Sequence, residues 1–163
     1  MIREANKSDC INLVALSLEV WLRTYCVDGI RTENSKFALS TFTEDSFRQI
    51  LADENRKLLL FTKDIYLRGY VLVNLQSHFQ KAGNGFEIEK LYVQEAFQNQ
   101  GVGRQLLQEI IERYGGNFWL YSWVRNKSIQ FYKLFGFEDI GQYNFMLGND
   151  TIENRVLVYN DNR

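Results

Sequence analysis

The 163-residue sequence predicts an α/β (α+β) domain in which helices pack on one mixed sheet. Two runs rich in Leu, Val, Ile and Tyr, 57–62 and 66–76, flank Lys63-Asp64 and read as an antiparallel hairpin. Residues 86–114 read as a strand, a glycine-bearing loop and an amphipathic helix. The inferred order β-α-α-β-β-β-α-β-α-β-β lacks the regular alternation of a doubly wound fold. No repeat, low-complexity tract or linker divides the chain, so residues 1–163 are expected to form a single domain.

Residues 2–5 suit a short first strand. Ser8 or Asp9 can cap a helix whose apolar positions Val14, Leu18, Trp21 and Tyr25 recur at helical spacing. Residues 26–36 are polar and without period, which predicts a loop. Thr43 with Glu44 and Asp45 starts another helix, with Phe47, Ile50 and Leu51 turned inward. After the hairpin, the polar stretch 77–85 is a loop, 86–93 a strand and 101–114 a helix. Residues 117–124 (N-F-W-L-Y-S-W-V) form a strand, 128–135 a short helix closed by Gly136, and two strands follow near 138–147 and 155–159.

A hydrophobic fraction of 45% and an aromatic fraction of 15% predict a folded globule. The formal net charge of −1 offers no electrostatic footprint for nucleic acid and nothing for a membrane surface. Cys10 and Cys26 lack metal-ligand spacing and read as free thiols, so no metal is expected. The polar first residues carry no apolar signal core, and no apolar run is long enough to span a bilayer; a cytoplasmic protein is expected.

Chemistry concentrates in 86–107. By strict alternation Glu87, Glu89, Leu91 and Val93 share one strand face, and Ile88, Lys90 and Tyr92 the other. Gln98-Asn99-Gln100-Gly101-Val102-Gly103 then leads into a helix with Gly103, Leu106, Leu107, Ile110, Ile111 and Tyr114 along one stripe. A strand, a glycine loop and a helix N-terminus present unpaired N–H groups and a positive dipole end, which suits a phosphate. The glycines let a diphosphate approach the backbone. The loop lacks the G-K-[ST] of a nucleotide-hydrolysing loop and the third glycine of a dinucleotide fingerprint.

The stretch E-K-L-Y-V-Q-E-A-F-Q-N-Q-G-V-G-R-Q-L-L resembles the central motif of the GNAT superfamily of acetyl-CoA-dependent N-acetyltransferases, whose phosphate loop is [QR]-x-x-G-x-[GA]. F-Y-K-L-F-G-F (131–137) resembles the second hallmark of that family, and the element order agrees along the whole chain. G-F-E-D-I-G-Q-Y-N-F-M-L-G-N-D (136–150) is similar to the tail of a bacterial branch that includes polyamine acetyltransferases, although Asn154 stands where that branch often has an acid.

The resemblance implies a mostly antiparallel sheet, splayed near the cofactor, with acetyl-CoA as co-substrate. It implies that the backbone of Leu91, Tyr92 and Val93 pairs with pantetheine. Backbone N–H groups of Gln98, Asn99, Gln100, Gly101, Val102 and Gly103, with Arg104, would then hold the pyrophosphate. Glu87 matches a family base position, Glu89 is its neighbour, and a water could relay the proton. Tyr132 matches the tyrosine that protonates the departing sulfur, and Phe131 stays in register beside it. Asn126 matches an asparagine on the pantetheine arm, in a spacing one residue shorter than usual. Trp21, Tyr25 and the segment to Lys36 would cover the acceptor groove, where Asp28 and Glu33 could attract a cation. His78 reads as a solvated loop residue, and Trp119 and Trp123 as packing. The expected activity is acetylation of a small primary amine such as a polyamine. Protein N-terminal or lysine acetylation is the alternative, and a non-catalytic acyl-CoA-binding module a further one. A homodimer through the sheet edge is compatible with the sequence.

Overall fold

The computed structural model describes residues 1–162. Its elements are β1 (Ile2–Glu4), α1 (Cys10–Tyr25), α2 (Thr32–Thr41), α3 (Glu44–Ala52), β2 (Arg56–Lys63), β3 (Tyr66–Asn74), β4 (Phe86–Val93), α4 (Val102–Tyr114), β5 (Asn117–Trp123), α5 (Ser128–Phe135), β6 (Glu138–Leu147) and β7 (Asp150–Asn160). They build one seven-stranded sheet in the order β1-β2-β3-β4-β5-β7-β6. Every pairing is antiparallel except β4 with β5. The mixed, mostly antiparallel sheet flanked by helices is the predicted one.

The entry to α1 is capped by Asn6, whose side chain accepts from the Ser8 N–H at 2.9 Å, while Asp9 accepts from the Asn6 N–H at 2.8 Å. Arg3 clamps the same Asp9 carboxylate with bonds of 2.8 and 2.7 Å. The buried stripe of α1 is Cys10, Leu13, Leu16, Ser17, Val20 and Trp21. The expected face shares only Trp21 with it. Val14, Leu18 and Tyr25 lie at its margin, because α1 packs against α2 and α3 as well as the sheet. Ser17 Oγ lies 2.7 Å from the Tyr70 hydroxyl of β3, which fixes the helix on the sheet.

The predicted loop at 26–36 is a second correction, since its latter half begins α2. This helix is barely amphipathic, and packing holds it: Ala38 is fully buried and the Phe37 ring stacks on Trp21 at 5.0 Å. At α3 the expected cap is present, with Thr43 Oγ1 and Ser46 Oγ exchanging bonds with each other's N–H at 3.1 Å. The hairpin turns one residue later than predicted. Lys63 still pairs with Tyr66, and Asp64, at φ 53°, begins the bend. The last strand is longer than 155–159 because β6 and β7 pair from Leu147↔Asp150 onward.

The sheet separates two cores. On one side Val71, Val73, Ile88, Phe118 and Leu157 meet Leu106, Leu107 and Ile110 of α4 and Tyr132 of α5. On the other, Leu58, Leu60, Tyr70 and Leu72 meet Leu13, Trp21 and Phe47 from α1 and α3. Among the described residues no helix is long and apolar enough to cross a membrane.

Candidate active site

The site lies where β4 and β5 part. They pair only at Phe86↔Phe118 and Glu87↔Trp119. Beyond Glu87, β4 stays paired with β3 alone, with Leu91 opposite Val71, Tyr92 opposite Tyr70 and Val93 opposite Gly69. The β5-facing backbone of residues 88–93 therefore has no strand partner, and the sheet opens into a cleft.

The loop predicted to hold a phosphate, 98–103, follows after one short turn. Gln98 Nε2 donates to the Val93 carbonyl at 3.0 Å, and Gln100 Nε2 to the Ala96 carbonyl at 2.8 Å. Asn99 (φ 59°) and Gly101 (φ 83°) both take the left-handed conformation, which turns successive N–H groups toward one side. Among the described residues, no backbone N–H from Asn99 through Arg104 has an acceptor, and the next, Gln105, bonds Gly101 at 3.0 Å. Unsatisfied donors at a helix N-terminus fit an anion such as a pyrophosphate. Gln98 departs from the expected set, since its N–H is already bonded to the Glu95 carbonyl at 3.1 Å. Gly103 also has a packing role. A Cβ there would stand 3.3 Å from Phe131 Cζ and 3.8 Å from Leu91, so its smallness lets α4 approach α5 and β4. Arg104 is exposed, with its guanidinium 5.2 Å from the Phe135 ring centre.

Strict alternation fails in β4. Leu72 pairs with Lys90 but Val73 with Ile88, so Glu89 is an extra, bulged residue. The bulge resets the faces. Ile88, Leu91 and Val93 pack on the α4–α5 side, and Tyr92 packs with the α1–α3 core. Lys90, whose ammonium lies 5.9 Å from the Phe42 ring centre, points the same way as Tyr92. Glu87 and Glu89 thus accompany Lys90 and Tyr92 rather than Leu91 and Val93.

The two carboxylates differ in environment. Glu89 accepts from Arg56 Nε and Nη2, each at 3.2 Å, and from Asn74 Nδ2 at 3.1 Å, so its oxygens are engaged. Glu87 is 9% exposed and has no ion pair among the described residues. Burial pushes its carboxyl above the ordinary range; a Ser77 hydrogen bond opposes this, Glu89 adds to it, and Lys90 and Arg56 oppose it. Burial lowers the Lys90 ammonium, against the pull of Glu89 and Glu87.

Tyr132, 7% exposed, packs in the core on the α4–α5 side, its hydroxyl without a hydrogen bond among the described residues. Burial raises that hydroxyl far above its usual range, and the charge of Tyr25 adds to the effect. Asn126 caps α5: its Oδ1 accepts from the Ser128 N–H at 2.9 Å, leaving only the amide nitrogen free. Asn154 is fully buried between Trp123 and Tyr143, its side chain donating to the Ile152 carbonyl at 3.1 Å. His78 is exposed, its ring 2.8 Å from the Gly85 carbonyl. Trp119 and Trp123 are buried, and Trp123 stacks on Tyr25 at 5.2 Å.

Sequence reasoning missed Arg56 and Asn74 as partners of Glu89, and Tyr121, which lies within the electrostatic reach of Glu87 and whose ring meets Tyr143. Tyr121 shares one strand face with Trp119 and Trp123 at period two, a signal present in the sequence.

Comparison with known proteins gives concordant results. The family model described as "Acetyltransferase (GNAT) family" matches residues 23–137. An uncharacterized N-acetyltransferase in the pepI 3′ region of Lactobacillus delbrueckii subsp. lactis is 27% identical over 157 residues, which cover 91% of this chain and 90% of that one. In fold the chain is similar to the PaiA N-acetyltransferase from Thermoplasma acidophilum, solved in complex with coenzyme A, with a TM-score of 0.74, 19% identity and coverage of 94% and 96%. It is similar to Arabidopsis thaliana NAA60, solved with a bisubstrate analogue, with a TM-score of 0.73, 15% identity and coverage of 100% and 99%.

Proposed function

The chain belongs to the acetyltransferase (GNAT) family, and from that premise we propose that it moves an acetyl group from acetyl-CoA to the primary amine of a small molecule by direct attack. The observation that carries the reading is the cleft beyond Glu87↔Trp119, which ends at the row of unbonded N–H groups from Asn99 to Arg104.

Acetyl-CoA supplies an activated thioester when bound. The pyrophosphate is held by the N–H groups of Asn99, Gln100, Gly101, Val102, Gly103 and Arg104, while Gln98 braces the loop through Val93. The free edge of Leu91, Tyr92 and Val93 takes the pantetheine, and a backbone N–H there polarises the thioester carbonyl. Phe131, against Gly103 and Tyr132, closes that side.

Acid and base stand on opposite sides of the sheet. Glu87, on the α1–α3 side and free of an ion pair, takes the proton from the incoming ammonium, directly or through a water. The neutral nitrogen forms the new C–N bond as the C–S bond breaks, and the proton it sheds on becoming an amide returns through water to the Tyr132 oxygen. Tyr132, on the α4–α5 side, gives its proton to the departing thiolate; its raised pKa keeps it protonated until then. Glu89 acts as a positioning residue, bound to Arg56 and holding the bulge beside Glu87. Asn126 serves α5 as a cap and offers the pantetheine at most its free amide nitrogen.

A small acceptor is favoured over a peptide because α2 packs on the C-terminal part of α1, with Phe37 on Trp21 and Trp21 on Tyr25 at 4.9 Å. The polyamine suggested by 136–150 is supported by that resemblance alone. The test is acetyl-CoA-dependent thiol release across a panel of amines and peptides, with Tyr132→Phe beside the wild type. The variant should lose about 10²- to 10⁴-fold in kcat with CoA affinity retained. Unchanged turnover with every accepted amine would remove Tyr132 as the acid. Acetylation of peptides but of no small amine would replace the acceptor.

A further inference from the structure

The unbonded N–H groups from Asn99 to Arg104 are joined to β4 by the short turn Glu95–Phe97, so whatever fixes that turn sets where they begin. Its own bonds only shape it: Phe97 N–H donates to the Gln94 carbonyl at 2.9 Å and Gln98 N–H to the Glu95 carbonyl at 3.1 Å. The ties to the rest of the fold come from β3 and α1. From β3, the Arg68 carbonyl accepts from the Gln94 N–H at 2.9 Å, and the Arg68 guanidinium lies 4.2 Å from the centre of the Phe97 ring. From α1, Arg23 Nε stands 3.6 Å from Glu95 Oε2. Next to Arg68, a Cβ on Gly69 would fall 2.9 Å from the Tyr92 carbonyl oxygen and 3.2 Å from Val102 Cγ1, so β3 lies directly under the first residue of α4.

Magnitude separates the two arginines. Arg23 is shared with Glu19 at 3.4 Å, and the Glu95 side chain is 68% exposed. A long, solvated pair of this kind contributes little and is screened by salt. Arg68 is half-buried, has no ion-pair partner among the described residues, and carries an Nε that is buried without a hydrogen bond. Burying a guanidinium without a counter-charge is costly. The contact that offsets the cost is the Phe97 ring, in a cation–π geometry that desolvation strengthens. Phe97 in turn packs against the core on the α4–α5 side.

Resting on the acetyl-CoA reading above, we propose that Arg68 is a positioning residue for the cofactor, which it serves by holding the Phe97 ring and through it the turn that presents the pyrophosphate-binding N–H groups. With Phe97 held, Gln98 is placed to brace Val93, and the donors from Asn99 onward start from a fixed point. The loop then meets the cofactor already ordered, which lowers the entropy cost of binding. Arg68 acts on the pyrophosphate through the turn, and the pantetheine edge at Leu91–Val93, paired with β3, does not depend on it.

Titration calorimetry should compare coenzyme A with pantetheine, which lacks the pyrophosphate, the latter measured in competition with coenzyme A. Arg68→Met should raise the coenzyme A Kd about 3- to 10-fold while the pantetheine Kd changes about twofold or less. Phe97→Leu should do the same, and the double variant should be no weaker than the worse single one, because both remove one contact. Phe97→Tyr keeps the ring and should stay within about twofold of the wild type. Equal losses for the two ligands, an unchanged coenzyme A Kd in Arg68→Met, or additive losses in the double variant would overturn the inference and leave the acetyl-CoA reading standing. Failure of the wild type to bind coenzyme A would overturn both. Should Arg68→Met not fold, the contrast between Phe97→Leu and Phe97→Tyr decides the same question.

Discussion

Replacing Gly85 by alanine should unseat the junction from which the cleft opens. Gly85 has φ +80°, and a Cβ on it would fall 2.8 Å from Phe118 N and nearer still to the Asn117 carbonyl. These are backbone atoms at the start of β5, with no flexible side chain to yield. The same residues begin the Phe86↔Phe118 and Glu87↔Trp119 pairing, the whole of the β4–β5 contact in the sheet ladder. A β-carbon in the left-handed region costs about 1–2 kcal/mol. Relieving the overlap moves β5 by roughly 1 Å and weakens ladder bonds worth about 1 kcal/mol each. A loss of about 3 kcal/mol or more follows, which for this chain length lowers Tm by about 6–12 °C. Thermal and urea unfolding followed by circular dichroism would measure it, with Gly83→Ala as the control. Gly83 has open space around its Cβ position and no positive φ, so alanine there should change stability by about 1 kcal/mol or less. If Gly85→Ala melts within about 2 °C of wild type, the steric reasoning is wrong.

Two further outcomes concern the carboxylates. Burial raises the Glu87 carboxyl, so its contribution to stability is present below the ordinary glutamate range and is lost as pH rises through the raised value. Glu87→Gln should accordingly melt above the wild type at pH 8 and level with it near pH 4; a pH-independent difference would refute the assignment. The same variant should lose about 10²- to 10⁴-fold in kcat/KM, together with the acid limb of the rate profile. Arg56→Met strips Glu89 of its partner in a pair whose side chains are 33% and 16% exposed, and urea unfolding should show a loss of about 1–3 kcal/mol. Because Arg56 also lowers Glu87, its removal should move the acid limb to higher pH; an unmoved limb would show the two to be uncoupled.

The loop at 98–103 was legible from six residues because its demands are local. Gly101 stands at φ 83°, and the N–H groups that follow are the first of a helix and have no partner in it. The cap at Thr43 and the hairpin at 56–74 were legible on the same terms. α2 was not, because its own residues carry little helical pattern and the contacts that hold it, Phe37 on Trp21 and buried Ala38, come from elsewhere in the fold. Nothing within F-E-I-E-K-L-Y-V encodes the bulge at Glu89, which exists only in the pairing with β3.

By itself, then, the sequence determined a strand–loop–helix geometry whose unpaired N–H groups suit an anion, the order of elements apart from α2, and the presence of Glu87 and Tyr132. Tertiary structure decided that the two stand on opposite sides of an opened sheet. It also decided that Glu89 is engaged by Arg56, 33 residues away, that Tyr25 of α1 stacks on Trp123, and that Tyr121 of β5 meets Tyr143 of β6. Backbone conformation and unpaired N–H groups depend on a few neighbouring residues. The face a side chain occupies and the charge it meets depend on strand register and distant packing, which no local pattern contains.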